Sequence, residues 1–359
     1  MTERENRLRA YRFQGPEWIP IAAGLPFLDW GSFGYDVREL ESICLRHPIL
    51  FPGFEPGTLA RRHAEVPTLY PDLVAGRRYR DGWGCEWETL HTGMVGGVAV
   101  HPLDDWSAFE GLASPDPDRE DGMRPLDWEA LADGIRQAKS AGGFAACGLP
   151  HGHTFLRVQD LRGYVNLILD MADEEPKLAR LLDQVTAFNL ALVRRFIALS
   201  PDMITIAEDL GMQTSPMLSP EDFRRHIAPC YEILTRPIKD AGILVHEHSD
   251  GYVLSLLDDL IRTGGDVLNL QDLVNGIGNL AREAKGRVAI DLDIDRQNVT
   301  VRGTPGDIED HIRQCVLALG SPAGGLSLVY QPWPPTPPAN LDATFGAMER
   351  MCVEENPWR

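Results

Sequence analysis

Histidines and carboxylates stand close together in the segment His246-Glu247-His248-Ser249-Asp250, which follows an apolar run. Imidazole nitrogens and carboxylate oxygens are ligands that zinc and related divalent metals take in proteins. In a strand, alternation places His246, His248 and Asp250 on one side, as a shared site requires. The segment therefore predicts a metal-binding or catalytic site. In the alternative interpretation, one histidine is a hydrogen-bonded core residue and Asp250 caps the next helix.

Polar residues also follow the other apolar runs of the chain. Glu208 and Asp209 come directly after the run 203–207, and we predict that they act in catalysis together with His248 and Asp250. Either of the first two acids can instead cap the following helix or pair with an arginine. Further residues at such positions are predicted to contact a substrate: His151, His153, Asn269, Gln271, Tyr330 and Gln331.

Five units of strand followed by helix run through the C-terminal half. Their apolar runs are 203–207, 242–246, 266–270, 287–291 and 326–330. The helix after the first run is predicted to begin at Ser219, an N-cap residue followed by Pro220. Buried strands that alternate with helices predict an α/β fold with a parallel sheet covered by helices. In a barrel of this kind, functional side chains gather at the carboxyl ends of the strands.

The N-terminal half adds two predicted strands, within 18–23 and 143–148. Seven strands are one short of the eight that close a (β/α)8 barrel. The stretch 48–127 is rich in Gly, Pro and Trp and has few periodic signals, so we predict an insertion near the barrel mouth. Because no Pro/Ser-rich linker divides the chain, we predict a single domain over residues 1–359.

Composition excludes several classes of protein. The chain has 359 residues and carries 53 Asp and Glu against 34 Lys and Arg, a net charge of −19, which argues against a nucleic-acid partner. No signal peptide or apolar run of about 18 residues is found, so we predict no membrane association. Six scattered cysteines without a Cys-x-x-Cys pair are typical of reduced thiols in a cytoplasmic protein. Dinucleotide, phosphate-loop and serine-hydrolase motifs are absent from the sequence.

The segment 208–223, Glu-Asp-Leu-Gly-Met-Gln-Thr-Ser-Pro-Met-Leu-Ser-Pro-Glu-Asp-Phe, resembles the central stretch of the uroporphyrinogen decarboxylase superfamily. Pro229 and Tyr231 after it fit the same pattern. Shorter matching segments occur at 6–10, 18–20, 81–84, 101–103, 248–251, 303–305 and 336–341. The resemblance implies a single (β/α)8 TIM barrel with an elaborated N-terminal region. It also implies that the eighth strand lies in the N-terminal half.

This superfamily contains decarboxylases and corrinoid-dependent methyltransferases, and the N-terminal arginines distinguish between them. The decarboxylases grip the carboxylates of a porphyrinogen with an Arg-Gln-Ala-Gly-Arg-type motif. No such motif occurs among Arg4, Arg7, Arg9 and Arg12. Without guanidinium groups fixed for carboxylate binding, an octacarboxylate would meet an acidic protein with little compensation. The family's namesake substrate is therefore disfavoured.

The thiol-activating methyltransferases of the superfamily bind zinc through a His-x-Cys pair and a distant cysteine. Here His248 is followed at the second position by Asp250, and no cysteine stands near the C-terminal position. The resemblance therefore implies a zinc site of nitrogen and oxygen ligands: His248, Asp250, Glu208 and His246. Such harder ligands leave the metal a stronger Lewis acid toward an ether oxygen.

These implications lead to an O-demethylase-type methyltransferase that moves a methyl group from a small methylated substrate, in particular a methoxylated aromatic compound, to a corrinoid (cobalamin) carried by a partner protein. Trp83, Trp87 and Trp333 can line an apolar wall for the ring or simply pack in the core. Two alternatives stay open: a metal-free lyase that decarboxylates a smaller acid, using Asp250 or Glu208, and a non-enzymatic barrel that binds a corrinoid partner. A homodimer is compatible with each of them.

Overall fold

The computed structural model describes residues 1–358, and the chain divides into two compact units. Unit 1 comprises Met1–Leu8, Arg78–Trp87 and Gly97–Leu270. Unit 2 comprises Arg9–Arg77, Glu88–Gly96 and the chain from Gln271 onward. That residues 1–359 form a single domain, with 48–127 as an insertion near the mouth, stays a prediction.

Ten strands are present in the described part of the chain. They are β1 Ile21–Ala23, β2 Arg78–Arg80, β3 Glu86–Glu88, β4 Gly97–Val100, β5 Ala146–Gly148, β6 Met203–Ala207, β7 Leu244–Ser249, β8 Val267–Gln271, β9 Ala289–Asp293 and β10 Leu326–Tyr330. In unit 1, the order β5-β6-β7-β8 forms a parallel sheet. In unit 2, the order β1-β10-β9 forms another set of parallel pairs.

Helices alternate with these strands along the chain. They are α1 Glu3–Tyr11, α2 Val37–Arg46, α3 Thr58–Leu69, α4 Trp128–Ser140, α5 Phe155–Arg162, α6 Tyr164–Ala172, α7 Pro176–Ala198, α8 Pro220–Asp222, α9 Ala228–Asp240, α10 Leu257–Thr263, α11 Asp272–Asn275, α12 Ile277–Glu283, α13 Val299–Arg302, α14 Pro305–Leu319 and α15 Pro338–Glu349. π-helical turns occupy Phe223–Ile227 and Arg350–Glu354. Within residues 1–358, no helix is both long enough and apolar enough to cross a membrane.

The predicted α/β fold class of TIM-barrel type is confirmed, since each of the seven predicted strand segments contains a parallel strand. The strands β6 to β10 are largely buried on both faces, as all five residues of β9 illustrate. Such continuous burial is expected for parallel strands covered by helices. An eighth parallel strand was expected in the N-terminal half, but none joins the parallel strands among residues 1–358. The remaining strands β2, β3 and β4 pair with one another in a separate sheet.

Helix caps formed by local sequence set where the helices begin. Ser219 accepts a hydrogen bond from the backbone N–H of Asp222 at 3.0 Å, which confirms the predicted N-cap. α14 begins with a complete capping box, in which Thr304 and Asp307 each bond to the other's backbone N–H. Because these caps satisfy the first amides, the chain turns into each helix at a defined residue after the preceding strand.

Two loops of unit 1 meet backbone to backbone just beyond the ends of β6 and β7. Gly251 has a φ of +79°, and a Cβ atom there would overlap the carbonyl group of Gly211. The N–H of Tyr252 donates to the carbonyl oxygen of Met212 at 2.7 Å. Only glycine permits this approach in this conformation, so the two loops that follow β6 and β7 are held together.

Candidate functional site

Three side chains from successive strand ends of unit 1 converge on one point. His151 follows β5, Asp209 follows β6, and His248 lies near the end of β7. Oδ1 of Asp209 lies 3.3 Å from Nε2 of His151 and 3.5 Å from Nε2 of His248. One ligand atom from each residue lies within 4.8 Å of the other two. We call His151, Asp209 and His248 the strand-end cluster.

The strand-end cluster is open to solvent on one side. The side chain of His151 is 48% exposed, that of Asp209 33% and that of His248 20%. A substrate can therefore reach His151 first, while His248 is largely enclosed. The decrease in exposure from His151 to His248 is what is expected of a pocket that opens on one side.

His248 is held in a defined orientation by its neighbours. Its Nδ1 lies 2.5 Å from Oδ1 of Asn269 on the adjacent strand β8. Because an amide oxygen only accepts, Nδ1 carries the proton in this contact. Nε2 is then the nitrogen that meets Asp209, and it lies 3.8 Å from Oδ1 of Asp250. An oriented imidazole with its second nitrogen anchored is typical of metal-binding histidines.

Electrostatics in the cluster stabilise opposite charges on His248 and Asp209. Burial lowers the pKa of His248, but the hydrogen bond to Asp209 and the charge of Asp250 outweigh this and raise that pKa to about 9. Burial raises the pKa of Asp209, but hydrogen bonds from His151 and His248 outweigh it and hold that pKa far below its usual range. Without a metal, the two side chains therefore form an imidazolium–carboxylate pair at neutral pH.

Asp250 lies at the edge of the strand-end cluster. Its backbone N–H donates to Oδ1 of Asp209 at 3.0 Å, so the main chain helps to fix Asp209. Its side chain is 38% exposed. β7 ends at Ser249, one residue before Asp250. The alternation that predicted a shared face for His246, His248 and Asp250 therefore applies only as far as Ser249.

Glu208 is buried and holds neighbouring segments of the site in place through hydrogen bonds. Its side chain has no exposed area, and Oε1 accepts a hydrogen bond from the Tyr231 hydroxyl at 2.6 Å. Oε2 accepts from the backbone N–H of Leu156 at 2.9 Å and of Thr154 at 3.3 Å. The carboxylate thus satisfies the first amides of α5, which follows His151 and His153. The structure does not bring Glu208 into the strand-end cluster, since among the described residues it joins no ligand group.

The other predicted residues of unit 1 are buried. His246 lies two residues before His248 on β7 and is 8% exposed. His153 is 2% exposed, its Nδ1 contacts Oγ1 of Thr154 at 2.7 Å, and burial lowers its pKa. Trp83 and Trp87 are also buried, which fits the packing interpretation for those two rings. Contact of His153 with a substrate stays a prediction.

Three predicted substrate-binding residues belong to unit 2. Gln271 begins this unit's C-terminal stretch, and Gln331 is exposed after β10. Tyr330 is fully buried, lies 6.0 Å from the Phe345 ring, and has its pKa raised by burial to about 12. Its enclosure favours a packing role for the phenol ring.

The donor set of the strand-end cluster suits a divalent metal. Two imidazole nitrogens and one carboxylate oxygen converge, and Asn269 accepts a hydrogen bond from the other ring nitrogen of His248. Three protein ligands and an open side are the arrangement of catalytic zinc sites. Asp209 and His151 were predicted in other roles, catalytic and substrate-binding, and their strand-end positions were the available signal.

Comparison with known proteins places the chain in a family. A model of the uroporphyrinogen decarboxylase (URO-D) family matches residues 103–351, which include the whole strand-end cluster. No curated protein matches the chain in sequence.

One solved structure of similar length supports the same fold. A methyltransferase from Methanosarcina mazei has 16% sequence identity and a TM-score of 0.66, with 98% of this chain and 99% of that chain covered. At this identity the likeness shows a shared fold. A B12-independent methionine synthase from Shewanella sp. W3-18-1 has 13% identity and a TM-score of 0.44, covering 65% of this chain and 68% of that one. Because the family model covers well over half of its length, the chain belongs to the uroporphyrinogen decarboxylase family.

Proposed function

We propose that this protein is a methyltransferase that moves a methyl group from a small methoxylated substrate, in particular a methoxylated aromatic compound, to a corrinoid carried by a partner protein. A divalent metal, zinc in the first instance, assists the reaction. The observation that carries the proposal is the convergence of His151, Asp209 and His248 at the strand ends. Membership of the uroporphyrinogen decarboxylase family and the missing Arg-rich motif support it.

The spacing of the cluster fits a single ion. Two ligands bonded to one tetrahedral zinc at about 2.0–2.3 Å lie roughly 3.3–3.7 Å apart. The two separations from Asp209, 3.3 Å to His151 and 3.5 Å to His248, are of this size. His151, Asp209 and His248 would therefore hold the metal with little movement of the backbone. Asp250 is close enough to contribute or to orient a bound substrate.

The chemistry divides between the metal and the chain. When bound, the metal supplies a Lewis acid that polarises the ether oxygen of the substrate. Asn269 keeps the ligating nitrogen of His248 directed at Asp209. Glu208 and Tyr231 fix the start of α5 and so the loop that carries His151. The exposed His151 side of the cluster admits the substrate and leaves the methyl carbon accessible to a corrinoid.

A metal-free lyase that acts on a smaller carboxylic acid is the second candidate. One observation favours it: the pKa of His248, raised to about 9 by Asp209 and Asp250 against the effect of burial, keeps the imidazole cationic at neutral pH. A buried cation can bind a carboxylate or stabilise charge that develops when CO2 leaves. The two candidates differ in their need for a metal, which makes them separable by experiment.

The deciding experiment measures metal content and methyl transfer on the same preparation. Zinc-loaded protein is mixed with cob(I)alamin and a panel of methoxylated aromatic compounds, and methylcobalamin is followed by its absorbance. We expect transfer by the wild type. In D209N and H248A the rate falls more than about 100-fold, because losing a ligand exceeds the 10–100-fold effect of losing an outer-shell partner.

The matched control is D240N, which alters an exposed aspartate at the end of α9 and should leave both metal content and rate unchanged. The absence of methylcobalamin from every panel member would rule out the methyltransferase proposal. The lyase would be favoured if chelator-treated protein released CO2 from a carboxylic acid at the same rate as the zinc-loaded protein.

A further inference from the structure

A second group of ligand-type side chains lies in the interior of unit 2. Asp272 is the first residue of α11, and His311 and Cys315 lie on α14. All three are buried, with 1%, 7% and 0% exposure. One ligand atom from each lies within 4.8 Å of the other two. We call Asp272, His311 and Cys315 the buried cluster.

The helix presents two of these donors together. His311 and Cys315 are four residues apart on α14, so their side chains lie on one face of the helix. Sγ of Cys315 lies 3.8 Å from Nε2 of His311 and 4.0 Å from Oδ2 of Asp272. Nε2 of His311 lies 2.6 Å from the same carboxylate oxygen. Nitrogen, oxygen and sulfur donors therefore meet at one point inside the unit.

These separations fall close to those of ligands on a shared ion. Ligand atoms on a tetrahedral zinc lie roughly 3.3–3.7 Å apart, so the two sulfur separations need to shrink by only a few tenths of an ångström. The contact between Asp272 and His311 is a hydrogen bond at 2.6 Å and must open by less than about 1 Å.

The charge of Asp272 is a reason for a cation to bind. Its carboxylate also accepts the backbone N–H groups of Leu273 at 2.5 Å and Asp295 at 3.1 Å. These contacts satisfy the oxygens but leave a negative charge in the interior, which costs free energy unless a positive charge compensates it. A divalent cation bound beside Asp272 would supply that positive charge.

The buried cluster has the enclosure and the sulfur donor that distinguish structural sites from catalytic ones. Buried sites with sulfur among the protein ligands are typical of structural zinc. The strand-end cluster differs, since it is open and contains no sulfur.

We propose that Asp272, His311 and Cys315 bind a zinc-type ion that ties α11 and α14 of unit 2 together. This site is separate from the strand-end cluster and does not depend on the function proposed above. Its role is structural: the ion cross-links two segments that are far apart in sequence.

Cobalt(II) tests the proposal because it reports sulfur ligands by absorbance. The full chain is produced in cobalt-supplemented medium, so that a buried site can fill during folding. Thiolate ligands give a strong sulfur-to-cobalt charge-transfer band in the near ultraviolet, whereas imidazole and carboxylate ligands give none. We expect this band in the wild type and in H151A/H248A, in which the strand-end cluster is disabled. We expect the band to disappear in C315S, with loss of about one equivalent of cobalt.

Two further variants make the test specific. C44S replaces another buried thiol of unit 2 and should keep the full band. H311Q retains the Cys315 thiol but removes a nitrogen ligand, so it should weaken cobalt retention against a chelator by at least about 10-fold. If C315S does not fold, H311Q provides the test in its place. No sulfur band in the folded wild type, or an unchanged band in C315S and H311Q, would overturn the proposal and leave the cluster as a buried hydrogen-bonded group.

Discussion

His248 and Asn269 are paired in register on neighbouring strands, and the imidazole Nδ1 of His248 lies 2.5 Å from the amide oxygen of Asn269. The contact determines which imidazole nitrogen meets Asp209. The orientation of the most enclosed member of the strand-end cluster is thus set by the pairing of β7 with β8.

Removing this contact should weaken metal binding. In N269L the imidazole loses its acceptor, and we expect zinc affinity, measured by chelator competition, to fall about 10–100-fold. N269D keeps an oxygen acceptor at the same position and should retain most of the affinity. Equal affinities of N269L and the wild type would contradict a role for Asn269 in orienting His248.

Asp209 should control the titration of His248. In metal-free wild type the pKa of His248 is raised to about 9, because the hydrogen bond to Asp209 and the charge of Asp250 outweigh burial. In D209N the charged acceptor is lost and burial dominates, so the pKa should fall markedly. NMR titration of the imidazole signals in the two proteins measures the difference. A pKa unchanged in D209N would mean that Asp209 is not the partner of His248 in solution.

Asp202 should contribute stability that disappears in acid. Burial raises its pKa, but hydrogen bonds from Arg4 and from the backbone of Ala145 outweigh this and lower the pKa below its usual value. A lowered folded-state pKa gives stability that is present above the unfolded-state pKa of about 3.9 and is lost as pH falls through the folded-state pKa. In D202N the free energy of unfolding at pH 7 should fall by about 1.5–3 kcal/mol.

Chemical denaturation at pH 7 and at acidic pH checks this prediction. The difference between D202N and the wild type should shrink as the pH is lowered, because protonation of Asp202 removes the same interaction. E110Q is the control, since Glu110 pairs with Arg180 on the surface. It should show no resolvable change at either pH. A pH-independent difference for D202N would assign its effect to packing rather than charge.

The contact between Gly211 and Gly251 should be intolerant of a single methyl group. In G251A the added Cβ overlaps the Gly211 carbonyl group, in addition to the cost of a left-handed conformation. G242A is a matched control, because Gly242 has a φ of +73° and open space around it. We expect G242A to lose about 1 kcal/mol of unfolding free energy and G251A to lose more. Zinc affinity should fall only in G251A, since the displaced loops carry Asp209 and Asp250.

Several elements could be predicted from the sequence because their signals are local. Largely apolar runs such as 203–207 and 326–330 are strands with those bounds. The polar residues after them were therefore placed at strand ends. The sequence did not show which of the adjacent acids Glu208 and Asp209 belongs to the strand-end cluster. That depends on residues distant in sequence, because Glu208 contacts Tyr231 whereas Asp209 contacts His151.

Other features depend on contacts between distant residues. Asp272 and His311 are 39 positions apart and meet only when α14 packs in unit 2. The four-residue spacing of His311 and Cys315 is a signal for a shared helix face, but it names no partner. Likewise, the short strands β2, β3 and β4 pair with one another, and no pattern of apolar residues in the sequence predicted this sheet.

The loop beyond Gly211 is closed on itself as well as fastened to its neighbour. The N–H of Met212 donates to the carbonyl oxygen of Ser215 at 2.8 Å, and Gly211 forms a β-bridge with Pro216. These anchoring interactions are made by main-chain atoms, so they do not depend on which side chains residues 212–215 carry. We therefore expect residues 212–215 to accept varied side chains while the loop keeps its backbone course and its attachment to the loop after β7.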